Sequence, residues 1–355
     1  MKPRRALPSL IVLAGAWMSS SCAPSGFANP QDVQTVRILA SQADQPYAAP
    51  GATVKLEVLA YDGRASKPEP MTISWLPLVC ENPTNDAYYA CFQQIAGGGQ
   101  GDAGAGADGG AGGGAGLLQP GVNLTPLLPG GPSFQFKMPD DVVTSHPPVP
   151  GAPVPYGITI LFNIACAGHL EIVPVDPGSN NPVKVPLGCF DQDENQLGAD
   201  DWVLGFTRVY AYAPDSGVTN TNPVIDHVDV EGQTVDLAQG YTTTRCTADR
   251  RDSCPHVHIG PVVPASSQEV NPEAKDIDGN PLHEEIWADF YATFGQFTDD
   301  ARLLYQASST GPLGSPHDTD DQFLPPNDPG EGLIWIIVRD NRGGAAWVTV
   351  PVHVQ

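Results

Sequence analysis

From Val33 to Tyr212 apolar residues recur at every second position. Val54, Leu56, Val58 and Ala60 alternate with Lys55 and Glu57, the period of a half-buried strand. Ile73 and Trp75 continue the pattern. Ile158, Ile160, Phe162, Ile164 and Cys166 then lay one apolar face along a single strand, with Thr159 and Asn163 on the other face. Turn-forming clusters such as Ala49-Pro50-Gly51 and Asp62-Gly63 bound these runs, and no long amphipathic stretch carries helix caps. The pattern predicts an all-β protein.

A Pro/Asn/Ser-rich stretch at 213–223 reads as a linker, after which the alternation resumes in a second domain, 224–355. Val224, Val228 and Val230 open it, and Ile286, Ala288, Phe290, Ala292 and Phe294 share one face. Leu333 to Val338, a turn at Asp340-Asn341-Arg342-Gly343-Gly344, and Val348, Val350, Val352 and Val354 form the strongest hairpin signal in the chain. Within the first domain, 33–212, residues 97–116 are almost entirely Gly, Ala, Asp and Gln. With little side chain to bury, this stretch is expected to be a disordered loop that extends one connection. Gly does not recur there every third residue, so it is not collagen-like.

Composition adds a compartment. Lys2, Arg4 and Arg5 precede an apolar run, Ala6 to Met18, too short to span a bilayer, followed by Ser19, Ser20, Ser21 and Cys22, the layout of a signal peptide over residues 1–21. Small residues directly before Cys22 resemble the lipobox of bacterial lipoproteins, although Ser19 stands where that motif usually carries an aliphatic residue. The resemblance implies lipidation at Cys22, a tether over 22–32 and a bilayer anchor. Ala23 in place of Asp after the anchor favours the outer membrane. Cleavage near Ala28 would instead give a periplasmic or secreted protein. Six further Cys, an even number in an exported chain, suggest the local pairs Cys80–Cys91, Cys166–Cys189 and Cys246–Cys254 among fifteen connectivities. The formal charge is −23, and loss of the signal segment makes it −26, which excludes nucleic-acid binding through a basic surface.

Leu333 to Val354, LIWIIVRDNRGGAAWVTVPVHV, resembles the closing strand pair of bacterial immunoglobulin-like and PKD-like domains. The first domain is similar in outline. Trp75 stands where such sandwiches place a core Trp, and Tyr156 opens the strand ending in Cys166, as a tyrosine-corner residue would. The strand of Val54 to Ala60 has no Cys, so the inter-sheet disulfide of antibody domains is missing. The resemblance implies two immunoglobulin-like β-sandwich domains, and the arrangement as a whole resembles envelope lipoproteins of Gram-negative bacteria.

Candidate chemistry is sparse. Asp191, Asp193 and Asn195, and again Asp276, Asp278 and Asn280, have the odd-position spacing of a calcium loop, but neither completes the pattern. Turns rich in Asp and Asn are the alternative reading. His256 and His258, two apart, could share a strand face toward a metal. His283-Glu284-Glu285 begins like a zincin motif but has Trp287 where the second His belongs, and the nucleophile and phosphate-loop motifs are absent. Trp335 and Trp347 lie opposite the apolar face of their strands, so they offer either a stacking platform for a glycan or a face packed on the first domain. The expectation is a non-enzymatic, lipid-anchored envelope protein that binds an envelope protein or glycan or acts structurally, without a required cofactor. The alternative is a calcium- or carbohydrate-dependent surface adhesin.

Overall fold

The computed structural model describes residues 29–92, 121–152, 154–173, 186–248, 253–314 and 318–355. Residues 1–21, read above as a signal peptide, Cys22 and the Gly/Ala stretch 97–116 lie outside the described residues.

The first sandwich is built from β1 (Val36–Ala43), β2 (Tyr47–Ala48), β3 (Thr53–Asp62), β4 (Thr72–Trp75), β5 (Cys80–Glu81), β6 (Ser133–Lys137), β7 (Tyr156–Cys166), β8 (His169–Ile172), β9 (Leu187–Phe190) and β10 (Trp202–Tyr212). One sheet runs β1-β3-β6 and the other β2-β10-β7-β4, with β5 also on β7. The first strand thus divides between the sheets, its second part, β2, lying parallel to β10 through Tyr47 and Tyr210. The second sandwich repeats this plan. It comprises β11 (His227–Val230), β12 (Gln233–Thr234), β13 (Tyr241–Thr243), β14 (Val257–Val262), β15 (Val270–Lys275), β16 (Pro281–His283), β17 (Ile286–Ala292), β18 (Gln296–Phe297), β19 (Ala301–Tyr305), β20 (Asp321–Leu324), β21 (Gly330–Asp340) and β22 (Ala345–Val354). Its sheets run β12-β11-β14-β20-β18 and β13-β22-β21-β17-β19, and β13 lies parallel to β22. Both halves are immunoglobulin-like sandwiches.

The period-two pattern places the cores. In the second sandwich Ile286, Ala288, Phe290 and Ala292 meet Ile334, Ile336 and Val338 and Val350, Val352 and Val354 in one cluster, all nearly free of solvent. Val224 is an exception to the expected pattern: it is exposed and precedes β11. In the first sandwich Val54, Leu56 and Val58 pack on Trp75, Phe136, Leu161 and Val209. Trp75 is fully buried, stacks on Phe134 and donates its indole N–H to the Gly131 carbonyl at 3.0 Å.

Strand β7 departs from simple alternation, because it is buried on both faces. The Ile158–Cys166 face does form a core, but outside the sandwich. It packs against Cys80, Cys91, Phe92, Leu124, Leu170 and Cys189, supplied by the connections that cover the sheet. Leu161, on the opposite face, joins the inter-sheet core. Cys80–Cys91 and Cys166–Cys189 close this cover, and Cys246–Cys254 closes a loop in the second sandwich, so all three local pairings are bonded. Tyr156 opens β7 as expected, but its hydroxyl donates to the Asp86 carboxylate at 2.6 Å rather than to nearby upstream backbone.

Gln31–Gln355 forms one compact unit. The outer face of β21 and β22 is covered by the first sandwich: Trp335 and Ile337 are buried against Val33, Leu39 and Ala40, with Tyr61 and Trp347 at the margin. This overturns the stacking-platform reading for Trp335, which is 2% exposed. A register shift in β1 between Ile38 and Ala40 makes the contact possible, because the bulge lets the consecutive residues Leu39 and Ala40 both turn toward it. Arg339 donates to the Leu39 carbonyl at 2.8 Å and pairs with Asp289 at 2.7 Å. Segment 213–223, read as a linker, is stitched to both halves: Asn222 donates to the Ala43 carbonyl at 2.7 Å and accepts from Ala345 N–H at 3.0 Å. Gln31 and Val33, on either side of Asp32, pair with Ala292, so the end of the 22–32 tether belongs to the second sandwich's sheet before the chain enters the first.

Candidate functional site

The β8–β9 hairpin follows Cys166, whose bond to Cys189 staples its base. Two residues apart on a strand, His169 and Glu171 present their side chains to the same side. His169 Nε2 lies 3.1 Å from Glu171 Oε1 and 3.6 Å from Glu194 Oε2. One ligand atom from each of the three residues falls within 4.8 Å of the others, and this is the one such His/Cys/Asp/Glu group among the described residues. Glu171 is buried, His169 half-buried and Glu194 exposed, so the cluster opens to solvent on one side.

Strand β8 is hydrogen-bonded along both edges. β8 pairs with β9, while on its far edge Leu170 N–H donates to Thr125 Oγ1 at 2.9 Å, Leu124 N–H donates to the Leu170 carbonyl at 2.7 Å, and Asn123 bridges Glu171. Glu194 arrives on the loop first noted for its calcium-like spacing. There Asp191 Oδ1 accepts the N–H groups of Asp193 at 2.9 Å and Asn195 at 2.8 Å, and the Asn195 amide closes on the same carboxylate. These bonds from Asn195, reinforced by Asp193 and by His169 nearby, hold the Asp191 carboxyl below its usual range. The turn sets Glu194 at φ +64°, in the left-handed region, which aims it back at His169. Sequence reading therefore singled out this loop but not its outward-facing residue. The His-x-Glu spacing of 169 and 171 was the available signal.

The second loop is built alike. Asp276 Oδ1 accepts from Asp278 N–H at 2.9 Å and Asn280 N–H at 2.8 Å, and the Asn280 amide donates to its other oxygen. The side chain and backbone of Asn280 lower the Asp276 pKa. His256 and His258 each have a separate partner, Gln322 at 2.6 Å and Asp320 at 3.0 Å.

Two further polar places stand out. His146 Nε2 contacts Asp86 at 2.9 Å, its ring packs on Tyr156, and its Nδ1 faces the Pro147 carbonyl, so both ring nitrogens are engaged. His146, Pro147 and Tyr156 edge an open, Pro-lined pocket of about 750 Å³. Beside the sandwich junction, Arg342 pairs with the fully buried Glu284 at 2.8 Å, and its guanidinium lies 4.8 Å from the centre of the Tyr47 ring. Burial, then the charge of Asp340, push Glu284 up to about 7 although Arg342 pulls the other way. Burial raises Asp340 as well, against the N–H groups of Gly344 and Arg342 that it accepts. The residue that mimicked a zincin glutamate is thus half of a buried ion pair.

No family model matches this chain, and no curated protein matches it. Solved structures to which it is similar include the D00–D0 domain of Intimin, 9% identical, with 90% of this chain and 98% of that chain covered and a TM-score of 0.20. Latent PorU from Porphyromonas gingivalis is 11% identical, with 91% and 24% covered and a TM-score of 0.22. The native conformation of E. coli alpha-2-macroglobulin is 9% identical, with 90% and 17% covered and a TM-score of 0.21. At these scores the fold rests on the strand order described above.

Proposed function

We propose that this chain is an exported, lipid-anchored envelope protein in which two sandwiches form a rigid, non-enzymatic scaffold that holds its exposed loops toward a partner. The observation that carries the reading is the combination of three bonded cysteine pairs with a buried seam between the sandwiches. Disulfides persist in oxidising compartments, and an apolar seam suppresses the hinge motion expected of loosely joined domains. The acidic balance suits a soluble body kept off anionic surfaces. Intact mass of the protein taken from membranes, before and after reduction, tests this. The expected species begins at Cys22, carries acyl groups and gains about six hydrogens on reduction of three disulfides. An unacylated chain beginning beyond Cys22, or one whose mass reduction leaves unchanged, would count against it.

A further inference from the structure

We propose that His169, Glu171 and Glu194 form a surface site for a divalent transition ion of the zinc class. Tetrahedral zinc with nitrogen and oxygen ligands at about 2.0–2.2 Å sets its ligand atoms about 3.3–3.6 Å apart. The two measured edges from His169 Nε2, 3.1 and 3.6 Å, bracket that spacing. One imidazole carries at most a single positive charge, whereas Glu171 and Glu194 bring two negative ones within 4.8 Å of it and of each other, and Asp191 lies nearby. A dication between the carboxylates removes their mutual repulsion, which the imidazole alone does not.

The donor set and its surroundings choose the ion. One imidazole with two carboxylates suits zinc-class ions better than calcium, which takes six to eight oxygens. Three protein ligands leave a fourth position, and the exposed Glu194 side opens it to water or to a donor from another molecule. The stapled hairpin and the Asx turn hold the ligands before the ion arrives, so little ordering accompanies binding. Bound there, the ion would tie the 191–195 loop to β8. None of this depends on where the protein resides.

Calorimetric titration of the purified, disulfide-intact chain with zinc tests the site, with His169→Ala and Glu194→Gln alongside. The wild type is expected to take up one zinc per chain at this site, with affinity falling at least tenfold in Glu194→Gln and further in His169→Ala. Glu194 is exposed, so its variant keeps the fold and remains informative if His169→Ala does not. No zinc uptake by the wild type, equal affinity in Glu194→Gln, or displacement of zinc by an equal concentration of calcium would each overturn the assignment.

Discussion

Trp335 lays its indole against the ring of Tyr61, centroids 4.7 Å apart, across the boundary between the two sandwiches. Tyr61 belongs to β3 of the first and Trp335 to β21 of the second, and both join the cluster that contains Leu39 and Ile337. This contact turns two repeats of one topology into a single body.

Trp335→Ala is therefore expected to cost about 3–5 kcal/mol, the range for truncating a large buried aromatic side chain. Because the seam couples the halves, scanning calorimetry should show one transition in the wild type and two in the variant. Leu303→Ala, at an exposed position on β19, is expected to move stability by less than about 0.5 kcal/mol and leave a single transition.

Glu284 makes stability depend on pH in an unusual direction. Its folded-state pKa of about 7 lies above the ordinary 4.5, so between those values the folded protein holds a proton that the unfolded chain has released. The associated stability is complete below pH 4.5 and lost as pH rises through 7, at most about 3 kcal/mol for a shift of this size. Asp340 and Asp321, also raised by burial, act in the same sense. Urea titrations from pH 5 to 7.5 should show the wild type weakening as pH rises and Glu284→Gln weakening less. Equal slopes would remove Glu284 as the cause.

Cys166–Cys189 closes a loop with a sequence separation of 23. Replacing both by Ala should cost about 3 kcal/mol on the chain-entropy model, read as a lower urea midpoint, with the slope rising as the unfolded chain loses its cross-link and expands. Part of the loss should appear as faster hydrogen exchange in β8 and β9, which the bond anchors.

Gly168 sits between that disulfide and His169. A Cβ there would fall 2.1 Å from the Phe190 carbonyl oxygen, a clash with backbone rather than with a flexible side chain. Gly168→Ala should force the hairpin apart and cost roughly 1–3 kcal/mol. Chemical denaturation measures it, and unchanged stability would mean that the turn rearranges freely.

Alternation with period two is a local property of the chain, which is why the core faces of β17, β21 and β22 could be read residue by residue and all meet in one cluster. Proximity in the chain suggested the three cysteine pairs among fifteen connectivities, and the structure bonds those three, at sequence separations of 11, 23 and 8. What covers a face is not local. The sequence places Trp335 and Trp347 opposite the core, but the bulge at Leu39, some 300 residues earlier in the chain, decides that the first sandwich seals Trp335 and leaves Trp347 half-buried at the margin. The double burial of β7 likewise depends on connections distant in sequence folding over the sheet. The site follows the same division: His169 and Glu171 share a strand face by spacing alone, whereas Glu194 joins them through the left-handed turn and the disulfide that bring its loop back. Sequence alone determined strands and their faces, because these depend on neighbours along the chain. Which faces meet, and which charges converge, depended on long-range packing, and only the tertiary structure decided them.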